Sequence, residues 1–252
     1  MNLIFILATL PVALILIYIY RKDVNKEPIR KLIVAFLAGC VTVIPAMIME
    51  LILQPFSPGT PILGGLFDGF VVAGFSEELS KLALLMLVIW RSNEFSEYFD
   101  GIVYAVFVSM GFAGIENLLY VFSPDSISES ISTAIVRAII SVPGHFLFAV
   151  AMGYYLSLAK FDPAHRSNHL IKALFYPVML HGTFDAILMV SDGLSAYEGL
   201  TYMVGAIEFV VFVIFDIKLW KKGLKRIKQM QEMSRRQDYN PMNPFENFRW
   251  EF

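Results

Sequence analysis

The chain has 252 residues, of which 57% are apolar and only 17% charged, with a formal net charge of -2 and a single cysteine, Cys40. Together with a mean hydropathy of +0.62, this composition excludes a soluble single-core enzyme, a disordered chain and a collagen-like one. The lone cysteine excludes a disulfide scaffold and any multi-cysteine metal site. Seven apolar segments follow in chain order: Asn2 to Tyr20, Leu32 to Leu53, Ile62 to Trp90, Ile102 to Phe122, Ala134 to Leu158, Ala173 to Ser191 and Thr201 to Trp220. Each is long enough to cross a hydrocarbon core of about 30 Å as a helix. The first has no Lys or Arg ahead of its apolar run, and Arg21, Lys22, Lys26, Arg30 and Lys31 behind it. A cleavable signal has the reverse order, so this segment reads as a retained first helix with its amino terminus outside.

The loops repeat that polarity. Arg91 follows the third segment, Lys160, Arg166 and Lys172 follow the fifth, and Lys221, Lys222, Lys225, Arg226 and Lys228 follow the seventh. The loops after segments two, four and six hold no Lys or Arg at all. The expectation is an all-α polytopic transmembrane bundle of about seven spans, amino terminus out and carboxyl terminus cytoplasmic. Residues 1–228 form the integral membrane domain, with the basic run ending at Lys228 read as a topological stop. Residues 229–252, with Asn240-Pro241 and Asn243-Pro244, read as a flexible polar cytoplasmic tail.

Ionisable groups within a span cost about 2.5 to 3.5 kcal/mol each on insertion scales, which makes every one of them a functional-site hypothesis. The third span carries Glu77, Glu78 and Lys81, the fourth Glu116 beside Asn117, the fifth Arg137 and His145, and the sixth His181 and Asp185. Glu77 and Lys81 are spaced i,i+4 with the acid first, the better order for a helical ion pair, and Glu78 is three residues from the same lysine. His181 and Asp185 repeat the i,i+4 spacing, so the aspartate can fix the tautomer of the imidazole. Arg137 and His145, eight apart, would share a face of one continuous helix, with Arg137 a structural partner for an acid. Glu50 and Glu208 read as isolated polar residues near span ends.

Counted from the outer span ends, Glu116 and Asp185 lie about 9 Å deep, His181 about 15 Å and His145 about 16 Å. The groups converge in one band biased toward the outer leaflet, which implies a hydrated cavity opening outward. A carboxylate there could act as general base on a water attacking a peptide carbonyl, with an imidazole and Asn117 donating to the oxyanion. Glu78, Glu116, His145 and His181 could equally hold a catalytic zinc ion, although no HExxH is present. Both options stand on the residues alone.

The order Glu77-Glu78-x-x-Lys81, Phe112-x-x-x-Glu116, His145 after Pro143-Gly144, and His181-x-x-x-Asp185, one motif per span, resembles the PrsW family of intramembrane proteases. These are distant relatives of the type II CAAX prenyl endopeptidases and bacteriocin-processing membrane proteases. The CAAX-type relatives typically carry EExxxR and FxxxH. The lysine one residue closer and the glutamate at 116 point to the PrsW branch. The resemblance covers roughly Gly65 to Val190. It implies a multi-pass protease of the bacterial plasma membrane that makes the first cut in a single-span anti-sigma factor, near the outer face, leading to release of a stress sigma factor. It implies Glu77, Glu78, Glu116, His145, His181 and Asp185 as catalytic residues, with Lys81 and Asn117 supporting. It leaves open whether a zinc ion or a metal-free, glutamate-activated water does the chemistry. The expected partners are a single-span protein and the bilayer, with no nucleic acid. Two other readings of the residues are a proton- or ion-coupled transporter and a non-catalytic scaffold for single-span partners.

Overall fold

A computed structural model of the chain describes residues 2–195 and 201–239, and no strand occurs among the described residues. The helices are α1 (Asn2–Lys22), α2 (Ile29–Leu53), α3 (Pro61–Phe67), α4 (Ser76–Ile89), α5 (Asp100–Phe122), α6 (Ile127–Ile139), α7 (Ser141–Phe161), α8 (Arg166–Ser195) and α9 (Thr201–Tyr239). The protein is an all-α polytopic bundle. Five helical stretches are long and apolar enough to cross a membrane: Leu3–Lys22, Ile29–Phe56, Asp100–Phe122, Ile127–Phe161 and Pro163–Ser195. The two other expected spans are also helical, but Asp68, Glu77, Glu78 and Lys81 interrupt one and Glu208, Asp216 and Lys218 the other. Large apolar side chains such as Leu14, Leu51, Leu87 and Phe209 face outward. In water such a surface would be a liability, whereas lipid covers it without cost.

At the centre lie α5 and α7. α7 is buried along nearly its whole length and α5 through its first two-thirds; the two pack on each other, α5 also against α2 and α7 also against α8. Small residues set the close approaches. A methyl group at Gly39 of α2 would overlap the Val108 carbonyl of α5, and Gly101 of α5 lies back to back with Gly153 of α7.

Three local features differ from the expectation. The third span is not one α-helix: between α3 and α4 the eight residues Asp68–Phe75 form a π-helical segment, a conformation concentrated at functional sites. The fifth span is two helices. Ile140 (φ -112°, ψ -63°) breaks the chain between α6 and α7, because Pro143 has no N–H to donate and its ring would collide with the Ile139 carbonyl if the helix continued. Pro143 instead sits in the first turn of α7, where a proline is tolerated. The depth count for His145 and its shared face with Arg137, both of which assumed an unbroken helix, are therefore replaced by tertiary geometry.

The third difference concerns the carboxyl-terminal boundary. The helix α9 runs through residue 228 to Tyr239, and Ile227, Met230, Met233 and Ser234 are buried against the bundle. The Ser234 hydroxyl accepts the Phe99 N–H at 2.9 Å and Gln237 donates to the Ser96 carbonyl at 2.9 Å. Residues 229–239, expected within a flexible tail, are helical because their apolar positions recur at helical spacing and find a partner surface; residues 240–252 lie outside the described residues. Nearby, the loop between α1 and α2 buries Asp23 and Glu27, and Tyr104 of α5 donates its hydroxyl to the Glu27 carboxylate.

Candidate active site

The π-helical segment and α8 approach each other through glycines: a Cβ on Gly69 would lie 2.6 Å from the Ala186 nitrogen, and one on Gly74 2.9 Å from that of Gly182. This contact places the start of α4, with Glu77 and Glu78, against the middle of α8, with His181. From α7 comes His145, near its first turn, and from α5 Glu116.

Lys81 lies at the centre, its side chain 1% exposed. Its Nζ donates to Glu77 Oε2 at 2.9 Å and Glu78 Oε1 at 2.9 Å, and lies 3.2 Å from His145 Nδ1. An ammonium has three protons and no lone pair, so all three contacts are donations and His145 Nδ1 is an acceptor. The imidazole proton of His145 is then on Nε2, which faces Glu116 Oε2 at 2.8 Å. The ammonium also rests 4.0 Å from the centre of the Phe112 ring, a cation–π contact.

His181 is held from both sides: Nδ1 lies 2.9 Å from Glu78 Oε1 and Nε2 3.1 Å from Asp185 Oδ2. Phe148 stacks on its ring at 4.8 Å and 21°, and the His145 ring meets it edge-on at 5.2 Å. Glu116 is gripped by Arg137 of α6 at 2.7 Å, and the same arginine donates from Nε to Asn117 Oδ1 at 2.8 Å.

A cavity of about 910 Å³ reaches this cluster from the end of the bundle formed by the Pro58–Pro61 loop and by Asp192 and Gly193, the end whose loops lack Lys and Arg. Glu77, Glu116, Arg137, His145, His181 and Asp185 line it. Glu78 and Lys81 do not; they are sealed behind Glu77. Asn117 also stays outside the cavity. It is fully buried, and its Nδ2 donates to the Ala8 carbonyl of α1 at 2.7 Å, so both ends of its amide are engaged and it braces Arg137 instead of facing substrate.

Glu77, Glu78, His145 and His181 each offer a donor atom, and these atoms all lie within 4.8 Å of one another. Glu116, expected among the metal ligands, stands one layer out, on His145 and Arg137. Two carboxylates and two imidazoles, all buried, suit a divalent ion of the zinc class, and Glu78 Oε2 is a buried acceptor with no hydrogen-bond partner among the described residues. The donor set fits a metal.

Phe148 and the reach of Arg137 to Glu116 are features that the structure adds to the site. Phe148 is three residues beyond His145, a spacing that puts it on the same helical face. Nothing in the sequence pairs Arg137 with Glu116.

The sequence model described as "PrsW family intramembrane metalloprotease" matches residues 27–215, a stretch that contains every residue of the site. Among curated proteins, "Protease PrsW" of Clostridioides difficile (strain 630) is 38% identical over 189 residues, covering 74% of this chain and 79% of that protein. "Protease PrsW" of Bacillus subtilis (strain 168) is 38% identical over 177 residues, 69% of this chain and 77% of that protein. The same-named protein of Geobacillus kaustophilus (strain HTA426) is 34% identical over 191 residues, 75% and 81% respectively. No solved structure matches the chain.

Proposed function

The chain belongs to the PrsW family of intramembrane metalloproteases and is a multi-pass bacterial membrane protein with intramembrane protease activity; from that premise we propose how it cuts and what. The substrate is a single-span membrane protein, an anti-sigma factor, cleaved near the outer face as the first step in releasing a stress sigma factor. The bundle lies with its amino terminus outside, its carboxyl terminus in the cytoplasm, and its cavity open to the outer side. The positive-inside distribution of the loop lysines and arginines supports this orientation.

One observation carries the assignment of roles: Glu77 lines the cavity while Glu78 and Lys81 are sealed behind it. Glu77 is the general base. It takes a proton from the water that attacks the scissile carbonyl and passes it to the departing amine nitrogen. Lys81 holds the two glutamates side by side without their mutual repulsion. His181, fixed by Glu78 and Asp185, and His145, fixed by Lys81 and Glu116, keep the positions a pre-organised site requires. Arg137 donates from Nε to Asn117 and forms an ion pair with Glu116 through Nη2, so its guanidinium keeps N–H donors for the carbonyl oxygen. Glu78, His145 and His181 would hold the family's metal, a zinc ion, each imidazole giving up one of its present contacts to do so; when bound, the ion polarises the scissile carbonyl.

The test is co-expression with a tagged single-span substrate. Glu77→Gln and His181→Ala variants that reach the membrane at normal levels are expected to leave the substrate intact. Cleavage at the wild-type rate by either would overturn the assignment. Chelation of the purified protein is expected to stop cleavage and zinc to restore it; an unchanged rate after complete metal removal would refute the metal role alone.

A further inference from the structure

A second group of metal-binding side chains lies at the opposite end of the α7–α8 hairpin from the active site. Asp162 caps the end of α7, His165 closes the short 3₁₀ turn that follows, and His169 stands one helical turn into α8. Asp162 Oδ2 lies 3.0 Å from His165 Nδ1 and 3.1 Å from His169 Nε2, and the three donor atoms all lie within 4.8 Å of one another. We propose that this turn is a second metal site, structural in role, which takes a divalent transition ion of the zinc class.

The geometry comes close to what such an ion requires. Zinc–nitrogen and zinc–oxygen bonds of about 2.0 to 2.2 Å in a tetrahedral shell put neighbouring donors about 3.3 to 3.5 Å apart. The two observed carboxylate–imidazole separations need to widen by only a few tenths of an ångström. One carboxylate and two imidazoles form a mixed oxygen and nitrogen donor set that selects zinc-class ions over magnesium or calcium. The fourth position opens to solvent, since the His165 side chain is 68% exposed.

Hydrogen bonding alone explains the arrangement poorly. His169 is drawn inward, and among the described residues its Nδ1 is buried without a partner and its contact with Asp162 is the one hydrogen bond its ring makes. One bond to a carboxylate shared with a second histidine is a small return for desolvating an imidazole. The nearby cations are engaged elsewhere: Lys160 donates to the Trp90 carbonyl and Arg166 to that of Ala159.

The position gives the site its purpose. Asp162 follows His145 by 17 residues along α7, and His165 precedes His181 by 16 along α8. An ion here clasps the turn of the hairpin that carries both active-site histidines, about 25 Å from them at the helical rise.

Full-length protein, purified with a tag free of histidine, is dialysed against zinc and its bound metal counted by mass spectrometry. His165→Ala is the decisive variant, because an exposed side chain can be removed without disturbing the fold. It is expected to hold one zinc equivalent fewer than the wild type, and to bind at this turn more than about 100-fold more weakly, beyond the loss seen when only an outer partner of a ligand is removed. The same missing equivalent is expected when His165→Ala is made in a Glu78→Gln/His181→Ala background, which separates this site from any metal in the active site. Equal zinc content with and without His165, in both backgrounds, overturns the proposal.

Discussion

Replacing Gly69 by alanine tests whether the close contact between the π-helical segment and α8 sets the active-site geometry. The added Cβ would lie 2.6 Å from the Ala186 nitrogen and 2.9 Å from the Gly182 carbonyl oxygen, where ordinary contact begins at 3.4 Å. Both obstacles are backbone atoms of a packed helix, so no side chain can turn aside. The segment must move away from α8 by about 0.8 Å, the shortfall on the shorter contact. Transmitted to α4, that shift stretches the 2.9 Å contact between His181 Nδ1 and Glu78 Oε1 to about 3.7 Å, beyond the range of a hydrogen bond. A misplacement of about 1 Å in a catalytic constellation costs about 10²-fold in rate. Cleavage of a tagged single-span substrate, normalised to the amount of enzyme in the membrane, is therefore expected to fall by about that factor. Gly205→Ala in α9 is the control, since a methyl there meets nothing within 4 Å. A Gly69→Ala variant that cleaves at the wild-type rate would refute the reasoning.

Two further outcomes follow from buried charge. Arg137 grips Glu116 and Asn117 through different nitrogens, and a lysine can reproduce only one of those contacts. Activity and thermal stability are expected to rank wild type, then Arg137→Lys, then Arg137→Gln, with the last losing up to about 3 kcal/mol as Glu116 is left a buried carboxylate without its arginine. Equal melting temperatures for all three would remove Arg137 from the site. In the α1–α2 loop, burial holds the Glu27 carboxyl up at about 7, from an ordinary 4.5, against the lowering effect of the Tyr104 hydroxyl. Burial likewise raises Asp23 to about 6. A carboxyl with a folded pKa above its unfolded one stabilises the fold while protonated. The contribution of Glu27 is thus complete below about pH 4.5 and is lost as the pH rises through about 7. Glu27→Gln is expected to flatten the fall in melting temperature across that window; unchanged profiles would contradict it.

Much of the site was legible because its links are local. The Glu77–Lys81 and His181–Asp185 contacts are i,i+4 pairs, which the α-helix brings together whatever the rest of the bundle does. Tertiary links were not legible in the same way. Arg137 meets Glu116 across two helices, and Asn117 turns away from the cavity because the Ala8 carbonyl of α1 is there to receive it. The break at Ile140 was written in Pro143, but the unbroken apolar run from Ala134 concealed it. In the carboxyl-terminal region polarity was the misleading feature: Ile227, Met230 and Met233 recur at helical spacing among lysines, glutamines and arginines whose mean character is that of a solvated tail.

The burial of Lys81 between Glu77 and Glu78 also bears on how the protein is made. As an isolated helix, α4 would carry three charges into lipid, at about 2.5 to 3.5 kcal/mol each. The lysine offsets part of this cost within its own helix, but among the described residues the further ion-pair partner of the two carboxylates is His181, about 100 residues later in the chain. During synthesis α4 therefore lacks part of its charge pairing until α8 has been made. The catalytic site is complete only once α8 has been made, because α8 supplies both His181 and Asp185.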